Sequence, residues 1–138
     1  LMKAVSAIHA MLVTVASNPA MDAAVAAFGT DEGKTATQEM KDAYEQRRDF
    51  VVNSLQKLGF ELINPQGAFY VFAKIPKQYG NDDLKFATDL ANEGKVAVIP
   101  GSFFGAGGQG YVRISYATSM ENLTGALDNI AAFINKED

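Results

Sequence analysis

Residues 96–117 read VAVIPGSFFGAGGQGYVRISYA: a short β-branched run, a Pro-Gly break, a glycine-rich loop and a second apolar run that carries one charged side chain, Arg113. Successive side chains of a strand point to opposite faces. In YVRISY that puts Val112, Ile114 and Tyr116 on one face and Tyr111, Arg113 and Ser115 on the other. If the first face meets helices, Arg113 projects from the open side of a sheet. There it stands in water or in an ion pair, as most arginines do, or it clamps a carboxylate. A planar guanidinium is suited to bidentate binding in a way that an ammonium is not.

The loop between the two runs holds Gly101, Gly105, Gly107, Gly108 and Gly110. Glycine lets backbone take positive φ or approach a ligand closely, so the loop reads either as a hairpin connection or as the wall of a site. No Gly-Lys-Ser/Thr follows, which excludes a Walker loop, and a strand rather than a helix comes next, which excludes the dinucleotide fingerprint. Phe103 and Phe104 are adjacent aromatics in this loop, and at least one of them is expected to plug the core.

Outward from this stretch the pattern is regular. Before it, Asn81 is expected to cap a helix with Leu84, Ala87, Leu90 and Ala91 on one face, closed by Gly94. After it, Ser119 is expected to cap a helix with Leu123, Leu127, Ile130 and Ile134 at 3.6-residue spacing. FELI and AFYVFAKI read as strands joined through NPQG, with Pro76 ending the second. A long helix is expected from about Thr37 to Leu58, with Met40, Tyr44, Arg47, Val51, Ser54, Leu55 and Leu58 on one stripe and Gly59 as its stop. From Gly59 the order strand, strand, helix, strand, strand, helix predicts an α+β fold. It is a two-layer domain, a small mixed or antiparallel sheet with helices packed on one face.

The N-terminal third is helical in pattern. LMKAVSAIHAMLVTVA imitates a secretory leader, but it opens on Leu, His9 interrupts it, and it is shorter than the roughly 20 residues that span a bilayer. Its only polar groups are at Lys3, Ser6, His9 and Thr14, so it reads as a helix buried on most sides whose covering is partly absent. In SNPA, Ser17 or Asn18 caps a second helix, with Pro19 at its start and Gly29 at its end. GTDEGKTAT, residues 29–37, reads as a polar loop and as the best internal boundary. The expected organisation is residues 1–34 as one helical unit and 35–138 as the domain that carries the sheet.

Composition narrows the function. The chain has 138 residues, 48% of them hydrophobic and 20% charged, which suits a globular fold with a real core. Twelve Lys and Arg against sixteen Asp and Glu give a net charge of −4, and the longest basic cluster is the pair Arg47-Arg48. That charge balance argues against a nucleic-acid partner. There is no cysteine, and His9 is the sole histidine, so disulfides and thiolate metal sites are excluded and a zinc centre is disfavoured.

Residues 96–127, VAVIPGSFFGAGGQGYVRISYATSMENLTGAL, resemble the C-terminal signature of the class I/II pyridoxal-phosphate-dependent aminotransferases. That signature runs Pro-Gly, an aromatic-Gly, a glycine-rich turn, an Arg two or three residues into a strand, and an Ala-Thr/Ser-x-x-x-Leu helix start. NPQGAFYVFAKIP resembles the family's Pro-x-Gly-Ala-Phe-Tyr hairpin, and SNPA its Ser-Asn-Pro segment. The three motifs keep the family's order across nearly the whole chain.

The resemblance implies that Arg113 binds the α-carboxylate of an amino acid substrate, with Phe104 close to that substrate. It places Ser17 and Asn18 near the partner subunit's site in a cytoplasmic homodimer, and it implies an amino acid and a 2-oxo acid as partners, with no membrane. Aspartate-type members often carry an Arg a turn before Ser-Asn-Pro, where this sequence has about Val13, so the resemblance points away from a dicarboxylate substrate. The family's Schiff-base lysine lies in a Ser-Lys segment followed by Gly-x-Arg, and no lysine here has that context. The implied picture is the C-terminal third of an enzyme, with residues 1–34 a helical remnant of the large, cofactor-binding domain and residues 35–138 the small domain. Pyridoxal 5'-phosphate would belong to the full-length parent, with none bound to this fragment, which alone would be inactive. Two other readings stay open: a carbon-sulfur lyase on the same scaffold, and a non-catalytic module that binds amino acids for regulation.

Overall fold

The computed structural model describes residues 1–136. Its helices are α1 (Met2–Leu12), α2 (Asn18–Gly29), α3 (Asp31–Lys57), α4 (Asp83–Asn92) and α5 (Met120–Ile134), and its strands are β1 (Glu61–Leu62), β2 (Tyr70–Lys74), β3 (Ile99–Pro100) and β4 (Tyr111–Ser115). The chain forms two compact units, Leu1–Lys41 and a second that begins at Asp42.

In the first unit α1 and α2 contain no buried residue. Ser17 stands at the N-cap of α2 in extended conformation without a side-chain capping bond, and the proline that follows Asn18 falls in the first turn, where its missing N–H costs nothing. The stretch 29–37 is not a loop. Helix α3 starts at Asp31, because Thr30 Oγ1 accepts the Gly33 N–H at 3.0 Å and Asp31 and Glu32 place negative charge on the first turn. Polar residues that resemble a linker are here a helix start.

The second unit is an α+β domain of two layers. Its sheet is antiparallel throughout, in the order β1-β2-β4-β3, with Val71 opposite Ile114 and Ala73 opposite Val112. Alternation works as period 2 requires: Val71, Ala73, Val112 and Tyr116 are buried on one side, while Tyr70, Phe72, Lys74 and Arg113 face the other. The buried side packs on Val51 and Leu55 of α3, Phe86 and Leu90 of α4, and Leu127, Ile130 and Phe133 of α5. Each of these large side chains contributes about 1.5–3 kcal/mol by leaving water. The helices of this unit pack on one face of the sheet, and Arg113 lies on the other.

Several local expectations shift. Met40 is exposed, and Val52 joins Val51 and Leu55 in the core. Helix α4 is capped by Asp82, whose Oδ1 accepts the Lys85 N–H at 2.9 Å, not by Asn81. Its inner face is Asp83, Phe86, Ala87 and Leu90, while Leu84 and Ala91 face outward. VAVI pairs only at its last residue, since β3 is Ile99–Pro100. Gly59, with φ of 85°, ends α3 as its position predicts, and Ser119 Oγ accepts the Asn122 N–H at 3.2 Å to start α5.

Candidate functional site

Strand β4 carries Arg113 between Phe72 of β2 and Ile99 of β3, its partners in the two registers. The half-buried side chain rises on the face away from the helices, as the alternation of YVRISY demands. Its guanidinium carbon lies 4.4 Å from the Tyr70 ring centroid and 4.6 Å from that of Phe104. Both distances suit cation–π attraction, which is stronger where water is partly excluded. Among the described residues no carboxylate pairs with Arg113. Two rings hold the cation, and its N–H groups have no acidic partner among the described residues.

The rings are themselves fixed by the fold. Tyr70 packs at a tilt against Phe69, with 4.4 Å between centroids, and Phe69 reaches Tyr44 of α3 at 6.2 Å. The turn that delivers Phe69 is pinned to β4: Tyr116 Oη donates to the Ala68 carbonyl at 3.0 Å, and the Tyr116 N–H donates to the Phe69 carbonyl at 2.9 Å. Ala68 sits at φ of 59°, a left-handed conformation that non-glycine residues avoid, so those bonds hold a strained turn. Burial pushes the Tyr116 hydroxyl pKa up, keeping it a donor. Beyond Tyr70 and Phe72 a groove of about 650 Å³ opens, walled by Ile63–Gln66 and floored by Tyr111.

Phe104 comes from the glycine loop, which folds as two 3-10 turns, Gly101–Phe104 and Ala106–Gly108. Neither Phe103 nor Phe104 plugs the core: they are 68% and 52% exposed, and Phe104 packs edge-on against Phe72 at 6.1 Å. The helix side is already filled by Phe60, Phe86 and Phe133, while the loop lies toward the open face. The glycines serve the loop's own folding, since a Cβ on Gly101 would run into the Gly108 carbonyl and a Cβ on Gly108 into that of Gly101.

Asp83, at the start of α4, fastens the loop. Its Oδ2 accepts the Ser102 N–H at 2.9 Å and its Oδ1 accepts the Gly110 N–H at 3.2 Å. Desolvation pushes this carboxyl up, but hydrogen bonds from Ser102 and Gly110 outweigh it and hold the pKa below the ordinary carboxylate value.

Sequence reasoning named Arg113 and Phe104, and the fold brings them together. It missed Tyr70 and Asp83. Tyr70 had a signal, because strand alternation puts it on the same face as Phe72, whereas Asp83 had none, since its partners lie 19 and 27 residues away. Ser17 and Asn18 belong to the first unit.

The family model described as aminotransferase class I and II matches residues 2–130. The chain belongs to the class I and II aminotransferase family. The aromatic-amino-acid aminotransferase 2 of Thermococcus litoralis is 40% identical to it over 115 residues, 83% of this chain and 29% of that protein. An aspartate aminotransferase of Thermotoga maritima is 40% identical over 132 residues, 96% of this chain and 32% of that protein. A crystal structure of aspartate aminotransferase from Thermotoga maritima matches with a TM-score of 0.79 at 40% identity, over 96% of this chain and 32% of that one. The chain thus spans about a third of the length of these aminotransferases.

Aminotransferases of this family use pyridoxal phosphate, and the site described here does not fit that group. Lys74, the lysine that β2 places on the Arg113 face, has its Nζ 3.8 Å from Glu61, and Lys77 lies 3.9 Å from the same carboxylate. Both amines are drawn to the Glu61 carboxylate, and neither is placed beside Arg113.

Proposed function

We propose that this chain is the C-terminal third of a pyridoxal-phosphate-dependent aminotransferase, moving an amino group between an amino acid and a 2-oxo acid, and that its part is to hold the α-carboxylate on Arg113. The observation that carries this is the guanidinium placed between Tyr70 and Phe104 with no carboxylate partner among the described residues. Two ring faces restrict how the guanidinium plane can turn, so little entropy remains to be lost when a carboxylate binds across its edge. A seated carboxylate fixes where the rest of the substrate lies relative to groups on other parts of the enzyme. The phosphate cofactor would be anchored by residues outside this site, and the chain alone would be inactive.

In the same reading Phe104 shields the carboxylate from water. Residues 1–34 belong to the larger, cofactor-binding domain, and Ser17 and Asn18 approach the site of the second subunit in a cytoplasmic homodimer. Among the described residues no helix is long and apolar enough to cross a membrane, and the acidic net charge gives nucleic acid no footprint.

The test is Arg113→Lys in the full-length enzyme. Losing one charge-assisted bond, worth about 1.5–3 kcal/mol, lowers kcat/KM for the amino acid roughly tenfold to hundredfold. Unchanged kcat/KM removes the assignment. Products distinguish transfer from lyase chemistry on the same scaffold: amination that depends on an added 2-oxo acid supports the proposal, and release of pyruvate and ammonia without an acceptor opposes it.

A further inference from the structure

We propose that Asp83 is a positioning residue for the Arg113 site: by gathering both ends of the glycine loop onto one carboxylate, it keeps Phe104 seated against the guanidinium. This rests on the reading of Arg113 as a carboxylate site, although the link from Asp83 to Phe104 can be tested without any ligand. Asp83 is 3% exposed and is the one charged side chain buried among the described residues. It is not the cap of α4, because Asp82 already accepts the Lys85 N–H, so helix start does not explain a buried charge beside it. What it does hold is the loop. Ser102 and Gly110 lie at opposite ends, and each presents its N–H to a different oxygen of the same carboxylate.

The two ends are not equivalent. Gly110 is also tied to the sheet, since its carbonyl accepts the Ile75 N–H at 3.0 Å, and it leads directly into β4. Ser102 makes no strand hydrogen bond among the described residues; it follows β3 by two residues and precedes Phe104 by two within one 3-10 turn. The first half of the loop is located by its link to β3, by the Gly101 backbone against Gly108 and Tyr111, and beyond these by the Ser102 bond to Asp83. A neutral Asn at 83 has one acceptor oxygen where the loop needs two, so one N–H meets an NH2 group and that end detaches. Phe104 then leaves Arg113 while Tyr70, held by β2, stays.

The experiment is NMR of the Arg113 Nε–Hε group in the ligand-free chain, whose resonance is displaced by ring currents from Tyr70 and Phe104. Phe104→Ala defines the displacement due to that ring. Asp83→Asn is expected to move the Arg113 resonance in the same direction by at least about half as much, with the methyl signals of Val71 and Ile130 unmoved. The double variant is expected to match Phe104→Ala alone, because coupled residues are not additive. An Arg113 resonance at its original place in folded Asp83→Asn, or additive shifts in the double variant, overturns the proposal.

Should Asp83→Asn not fold, hydrogen exchange in the unaltered chain decides. The Ser102 and Gly110 amides are expected to exchange at least about a hundredfold slower than open-loop amides, and open-loop rates at both overturn the proposal. Adding a 2-oxo acid tests the other claim separately. If it leaves Arg113 unmoved while Asp83→Asn displaces it, the carboxylate reading fails and the positioning role stands.

Discussion

Arg113 and Tyr70 stand on adjacent strands of one sheet face, with the guanidinium carbon 4.4 Å from the ring centroid. Phe104 reaches the same guanidinium at 4.6 Å from a loop far along the chain from Tyr70, so the clamp combines a rigid strand with a tethered loop. The relationship assigns different consequences to the two rings and to what supports them.

Tyr70→Leu removes the strand-borne ring. Cation–π contacts of this kind contribute about 0.5–2 kcal/mol, so kcat/KM of the full-length enzyme is expected to fall roughly twofold to thirtyfold, mainly through KM, while Tyr70→Phe keeps most of the activity. Equal kinetics for Tyr70→Leu and the unaltered enzyme would refute the role of that ring.

Asp83 has a lowered pKa in the folded chain, so the unfolded chain binds more protons as the medium becomes acid. Its contribution to stability is present above the unfolded carboxyl value, about pH 4, and is lost as pH falls through the lower folded value. Urea unfolding midpoints of the unaltered chain and Asp83→Asn are expected to differ most near neutral pH and to converge below about pH 4. A gap that widens on acidification contradicts the sign.

Gly101→Ala puts a methyl group into the Gly108 carbonyl, a backbone contact that cannot yield by a rotamer change. The expected result is a loss of about 1–3 kcal/mol, as for overpacking elsewhere. Loop signals should be displaced, while core methyls of Leu55 and Ile130 stay in place. Gly107→Ala, where a Cβ meets nothing within 4 Å, is the control and should leave the urea midpoint almost unchanged.

Helix α1 exposes Met2, Val5, Ile8, Met11 and Leu12, with Met11 86% accessible. Apolar surface of this kind favours association in water. Sedimentation of the isolated chain is expected to show concentration-dependent self-association that Ile8→Lys together with Met11→Lys reduces. A monomer at all concentrations counts against it.

Much of the fold was legible because its signals are local. The face of Arg113 follows from strand alternation, the start of α5 from Ser119, and the end of α3 from Gly59, each a matter of a few neighbouring residues. The misreadings are also local in origin. GTDEGKTAT has loop composition, yet Thr30 and Asp31 make it a helix start. The apolar set of α4 allowed two phases, and packing chose the one with Phe86 inside and Leu84 outside.

By itself, the sequence determined the two-layer α+β plan, the order of elements and the one arginine on the open side of the sheet, because those depend on period, caps and turns. Only the tertiary structure decided that Tyr70 and Phe104 enclose that arginine and that Asp83 binds both ends of the glycine loop. Contacts between residues 9 to 43 positions apart leave no periodic trace. They exist only once the sheet and helices have brought distant backbone within hydrogen-bonding or ring-contact range.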